Sequence, residues 1–280
     1  MSAEALGFSG IVALLILLVL RVPVAFAMFL VGFLGIWALN GWNGAMGLLS
    51  SETFTLASSS ELVVVPLFIL MGNIASTTGM SRQLYNAAYA VIGHIRGGLA
   101  HVNIIVSIFF AGLTGSAVSD TAALGTMLIP AMVEDGYDKD FSAAITASSS
   151  IIGPIIPPSI IAVIYGSLMN VSIAGLFAAG IVPGVLVGVA LMLSAGYISK
   201  KRNYPIGESK PTIKEVAVSF KDAIIPLLMP VIILGGILSG IFTPTEAAAI
   251  AVLYALFVGF FIFSNLITKF PQKINVPLPG

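Results

Sequence analysis

Twelve basic and twelve acidic side chains are so placed in this chain that long stretches carry no charge at all: 5–20, 22–51, 62–81, 97–119, 141–199, 223–245 and 247–268. A bilayer core about 30 Å thick is crossed by ~20 helical residues, so most of these stretches can span it and 141–199 can span it more than once. Only 9% of the 280 residues are charged and 58% are hydrophobic, whereas soluble domains are about 25% charged. The reading is an all-α, polytopic membrane protein. A net charge of zero leaves no electrostatic footprint for nucleic acid. The absence of cysteine excludes disulfides, thiolate metal sites and cysteine nucleophiles. No basic region precedes the first apolar stretch and no cleavage site closes it, so it reads as a retained helix rather than a removed signal.

Breakers divide the apolar stretches. One helix over 8–39 would run ~48 Å, longer than the core, and LRVPVAFAM sets Arg21 beside Pro23, so a break or tight turn is expected at 21–23. Residues 40–61, rich in Gly, Ser and Thr with Glu52 and Glu61, suit a loop or short surface helix. A span at about 62–80 follows, and 81–101, with Arg82, His94, Arg96 and His101 among apolar positions, reads as an interfacial amphipathic helix. Residues 102–133 are apolar but interrupted by TGSAVSD at 114–120; flanks of ~12 residues, only ~18 Å each, predict a re-entrant hairpin. EDGYDKD at 134–140 is a surface loop. The stretch 141–168 is broken by GPIIPPS at 153–159, where Pro154, Pro157 and Pro158 remove backbone donors and exclude a continuous helix. A span at 172–199 ends in Lys200, Lys201 and Arg202, and 200–222 holds six of the twelve basic residues, which the positive-inside rule places in the cytoplasm. Spans at about 223–241 and 246–265 and an irregular tail complete the chain.

Irregular backbone at membrane depth persists only when buried in protein or lining a hydrated cavity. Half-helices that end there aim N-terminal dipoles at anions and leave free carbonyls for a cation, the plan of many secondary transporters. The plainer reading is that Gly and Pro merely kink packed helices. Asp120 is the sharpest residue, because an unpaired charge at the bilayer centre costs at least ~2.5–3.5 kcal/mol. With the hydroxyls of Thr114, Ser116, Ser119 and Thr121 and the turn carbonyls it offers hard oxygen ligands, which suit sodium. Alternatively Asp120 is the N-cap of a helix starting at Thr121, and one oxygen can cap while the other ligates. Ser148, Ser149 and Ser150 read as small residues that let helices approach closely. Glu246, after Thr243 and Pro244, fits compensation of a helix dipole, and Arg21 fits snorkelling or an interhelical ion pair. His94 and His101 share a helix face but have no third ligand nearby. A carboxylate-bearing substrate follows from the same dipole argument, since no cluster of acids lines the breaks.

LRVPVAFAM, VPLFILMGN, GSAVSDTAALG, GPIIPPSI and GIFTPTEAAA, in that order over residues 1 to about 265, resemble the large permease subunit (DctM-type) of tripartite ATP-independent periplasmic (TRAP) transporters. The resemblance implies an elevator-type, inverted-repeat secondary transporter of the bacterial inner membrane. It implies import of organic acids (dicarboxylate, keto acid or sialic acid class) driven by sodium, and no enzyme activity. The implied partners are a small four-helix membrane subunit (DctQ-type) and a periplasmic substrate-binding protein. Thr114, Ser116 and Asp120 would then help hold sodium, and the unwound stretch with Gly153, Pro154, Pro157 and Ser159 would meet the substrate. The chain divides into a first transmembrane repeat (1–199), a cytoplasmic basic linker (200–222), the first helices of a second repeat (223–266) and the tail (267–280). Family members continue through a second hairpin and second unwound helix, so a truncation is expected here, and a lone chain of this length is expected not to transport. Two other functions compete. An ion channel also suits a re-entrant hairpin. An intramembrane serine hydrolase would pair Ser116 or Ser119 with His94 or His101, but G-x-S-x-G and H-E-x-x-H are both absent.

Overall fold

The computed structural model describes residues 3–207 and 211–263, and no strand occurs among the described residues. Eleven α-helices follow one another among the described residues: α1 (Ala3–Val19), α2 (Val24–Ala57), α3 (Val64–Thr77), α4 (Met80–Ile92), α5 (Gly98–Thr114), α6 (Ala117–Glu134), α7 (Lys139–Ser150), α8 (Ile160–Met169), α9 (Ile173–Lys201), α10 (Ile213–Leu238) and α11 (Pro244–Phe257). Four of them, α2, α9, α10 and α11 with its π-helical continuation, are long and apolar enough to cross a bilayer. The bent pair α3–α4, turned through 65°, makes a fifth candidate. This is an all-α polytopic membrane protein. The expected tail at 267–280 lies outside the described residues.

The described residues up to Ser59 form one compact unit and those from Ser60 onward another. In the first, α1 and α2 lie antiparallel: a Cβ on Gly10 would stand 3.4 Å from Val31, and one on Gly35 would stand 3.9 Å from Leu6. The turn between them falls at the expected place, with Arg21 in the left-handed region (φ 63) ahead of Pro23. A helix kinked at Gly41 (φ 71, ψ 175) continues to Ala57, so the expected loop or short helix over 40–61 is mostly a helical extension of α2.

The second unit is built around α5, of whose 17 residues 13 are buried. Three connections meet at one end of it. The Gly97 N–H donates to the Pro205 carbonyl (3.1 Å), Arg96 Nη1 donates to Asn203 Oδ1 (3.2 Å), and Arg202 Nη1 pairs with Asp138 Oδ2 at 2.7 Å. Tyr204 donates to the same oxygen at 2.7 Å, and its ring lies tilted against those of Tyr137 and Phe141. The start of α5 and the end of α6 are therefore tied to the same basic terminus of α9. The outer ends of both hairpin arms, α5 and α6, lie at the same end of the bundle.

Three boundaries differ from expectation. The hairpin arms have 17 and 18 residues, ~26 Å each, rather than ~12. Gly97 (φ 71) ends the preceding loop, so α5 starts before His101, and the interfacial helix stops at Ile92. Within 200–222, α9 runs through Lys201, and a capping box between Thr212 and Glu215 starts α10 at Ile213, ten residues before the expected span. Glu246 fills the expected dipole role, accepting from the Thr243 N–H at 2.8 Å in a second capping box.

Candidate functional site: a junction of four helix ends

The two sequence breaks meet. Gly115 (φ 61) turns the tip of the α5–α6 hairpin, a conformation glycine adopts without a Cβ penalty. Its carbonyl accepts from the Ile160 N–H at 3.4 Å, and a Cβ there would collide with the Pro158 carbonyl. On the other side, a Cβ on Gly153 would stand 2.7 Å from Asp120 Oδ2 and 3.4 Å from the carbonyl carbon of Ser116. The hairpin tip and the unwound stretch 151–159 thus interlock through two glycines. Around that contact lie the C-terminal ends of α5 and α7 and the N-terminal ends of α6 and α8. Helix C-terminal ends carry partial negative charge and N-terminal ends partial positive charge, so one small volume can stabilise both a cation and an anion.

Asp120 is fully buried. The Thr114 hydroxyl donates to its Oδ1, and Oδ2 has no hydrogen-bond partner. The helix does not start at Thr121: Ser116 is the N-cap, accepting from the Ser119 N–H at 3.4 Å, and Asp120 sits one turn inside with its own N–H on the Ser116 carbonyl (3.0 Å). The capping alternative for Asp120 is therefore corrected, because a nearer hydroxyl does that work. Thr121 bonds back to the Ala117 carbonyl (2.8 Å), and Ser119 is exposed, so neither belongs to the Asp120 cluster. Of the predicted substrate residues, Gly153 faces Asp120, while Pro157 is buried in the break. Ser159 donates to the Pro154 carbonyl (2.6 Å) and accepts from the Ala162 N–H (3.1 Å), which closes the unwound loop and caps α8.

Sequence reasoning missed the Ser150 carbonyl. It lies 3.2 Å from the same hypothetical Gly153 Cβ that would meet Asp120 Oδ2 at 2.7 Å, so both oxygens border the space at Gly153. No residue type advertises a carbonyl; only the break that follows Ser150 hints at it. A cavity of about 420 Å³ opens on the other face of the hairpin tip, walled by Phe68 and Phe110, with Asn73, Thr114 and Ser119 supplying its polar groups. The histidines are elsewhere. His101 Nδ1 contacts the Gly97 carbonyl (2.9 Å) at the opposite end of α5, roughly 20 Å along the helix from the tip, so His101 pairs with neither Ser116 nor Ser119.

Residues 11–273 match the family described as the tripartite ATP-independent periplasmic transporter, DctM component. The chain belongs to this family. Among its relatives, the sialic acid TRAP transporter permease protein SiaT of Haemophilus influenzae is 41% identical over 268 residues, which are 94% of this chain and 43% of that protein. The 2,3-diketo-L-gulonate TRAP transporter large permease protein YiaN of Escherichia coli is 38% identical, over 87% of this chain and 57% of that protein. The C4-dicarboxylate TRAP transporter large permease protein DctM of Pseudomonas aeruginosa is 39% identical, over 78% and 51%. The chain spans about half the length of the curated relatives it matches. As a DctM-family member with four or five candidate spans, it is a multi-pass protein of the bacterial inner membrane.

Proposed function

We propose that this chain is part of the large permease subunit of a sodium-coupled TRAP transporter. It works with a small DctQ-type membrane subunit and takes an organic acid from a periplasmic binding protein. The observation that carries the reading is the buried, half-satisfied Asp120 at the junction of two broken helices. A carboxylate with one bare oxygen inside protein needs a counter-charge, and the Thr114 hydroxyl on Oδ1 and the Ser150 carbonyl bordering the space at Gly153 add further oxygens. One sodium ion suits that donor set. The N-terminal ends of α6 and α8, capped by Ser116 and Ser159, favour an anion on the same junction. A substrate carboxylate meets the unwound backbone from Gly153 through Pro154 and Pro157 to Ser159. The named relatives support the class, since sialic acid, diketogulonate and C4-dicarboxylates all carry a carboxylate. Elevator-type movement of the hairpin with its broken helix belongs to the same proposal.

The test is a sodium titration of thermal unfolding in detergent, with choline holding ionic strength constant. Sodium at ~100 times its Kd stabilises the folded chain by about 2.7 kcal/mol, and Asp120→Asn abolishes the effect. A wild-type chain indifferent to sodium, or an Asp120→Asn variant that responds as wild type does, overturns the assignment.

A further inference from the structure

A line of polar side chains with no exposed surface runs between α5 and α7: Asn103, Ser107, Ser142, Thr146, Ser149 and Ser150. Ser107 Oγ and Ser149 Oγ share a hydrogen bond (2.8 Å), Ser149 Oγ reaches both Asn103 Oδ1 and the Thr146 carbonyl (3.1 Å each), Asn103 Nδ2 donates to Thr146 Oγ1 (2.7 Å), and Thr146 Oγ1 donates to the Ser142 carbonyl (2.8 Å). Asn103 is the hinge of this ladder, because it accepts from one turn of α7 and donates to the turn before it. The triplet Ser148–Ser150 thus does more than let helices approach, since Ser149 bonds across to α5.

Apolar contact alone gives a membrane helix little preference between a neighbour and lipid, so hydrogen bonds and close packing set the register. Here the register matters beyond packing. The ladder grips the last two turns of α7, and the next residues form the wall opposite Asp120. The Gly153 N–H donates to the Ser150 carbonyl at 3.0 Å, and both that carbonyl and Asp120 Oδ2 crowd the space beside Gly153. A rotation or slide of α7 along α5 would carry the Ser150 carbonyl away from the carboxylate while leaving Asp120 in place on α6. We infer that Asn103 is a positioning residue: through Thr146 and Ser149 it fixes the Ser150 carbonyl and Gly153 against Asp120, and so sets the affinity of the junction for its cation. The inference rests on the sodium reading above. Asn103 itself stands roughly 16 Å along α5 from Thr114 and acts through α7 rather than on the ion.

The experiment is the same sodium titration on Asn103→Leu and Thr146→Val, each close in volume to the native residue, with Thr146→Ser as the variant that keeps the hydroxyl. Phe177→Leu, a buried change on α9 outside the ladder, sets the baseline for lost stability alone. Asn103→Leu and Thr146→Val are expected to raise the sodium midpoint roughly threefold to tenfold, the range expected for losing cross-helix hydrogen bonds in a membrane. Thr146→Ser and Phe177→Leu keep the wild-type midpoint. If Asn103→Leu does not fold, Thr146→Val decides. Lower melting temperatures with an unchanged midpoint in the two ladder variants overturn the positioning role and leave the sodium site standing. Absence of any sodium response in the wild-type chain overturns both.

Discussion

Two proline-marked breaks interrupt this chain's apolar helices, and they have opposite fates. At Leu20–Pro23 the backbone simply reverses: Leu20 is 68% exposed and Val19 is 82% exposed, and the break joins two antiparallel helices. At 151–159 it unwinds inside the bundle, with Ile152 and Ser159 buried and a second broken element seated against it. Proline removes the same donors in both places. What separates a turn from a site is whether protein covers the freed backbone groups and brings a charge to them. Only the second break has a carboxylate, two helix N-termini and two helix C-termini within reach.

The contrast has measurable consequences, the largest in packing. Phe110 is fully buried on α5 beside the hairpin tip, whereas Phe29 on α2 is 56% exposed. Phe110→Ala is expected to cost ~3–5 kcal/mol in detergent unfolding, and Phe29→Ala to stay within ~0.5 kcal/mol. Equal losses at the two positions would erase the distinction. A subtler change compares glycines. A Cβ on Gly153 would press on Asp120 Oδ2, while one on Gly32 meets nothing within 4 Å. Gly153→Ala is expected to lose ~1–3 kcal/mol through overpacking, and Gly32→Ala to gain up to ~1 kcal/mol from helix propensity; chemical-denaturation midpoints read both.

The smallest effect marks the edge of the buried region. At the exposed loop end, hydrogen bonds from Tyr204 and then Arg202 hold the Asp138 carboxyl below the usual carboxylate range. A depressed carboxylate contributes stability above its unfolded pKa of about 3.9, and that contribution fades as pH falls through the folded value. Asp138→Asn is therefore expected to lower stability slightly above about pH 4 and to flatten the acid limb, with the variant and wild-type profiles converging at lower pH; the effect is small because the pair is exposed.

Much of this was legible in the residues. The order of apolar runs and breakers marked the turn at Arg21, the hairpin tip at Gly115 and the unwinding at Pro154–Pro158, because backbone chemistry at Gly and Pro is local. The extent of the helices was less so. Gly97 and the capping boxes at Thr212 and Thr243 set ends that hydropathy smooths over.

What the sequence determined by itself is a membrane protein with two interrupted helices and one acidic residue stranded among apolar neighbours. Only the tertiary structure decided that the interruptions touch, that Ser116 rather than Asp120 caps α6, and that Asn103 bonds to residues more than forty positions away. The reason is physical. A charge or a proline acts on its own neighbourhood along the chain, whereas a carbonyl becomes a ligand only when folding brings the carboxylate it can share an ion with.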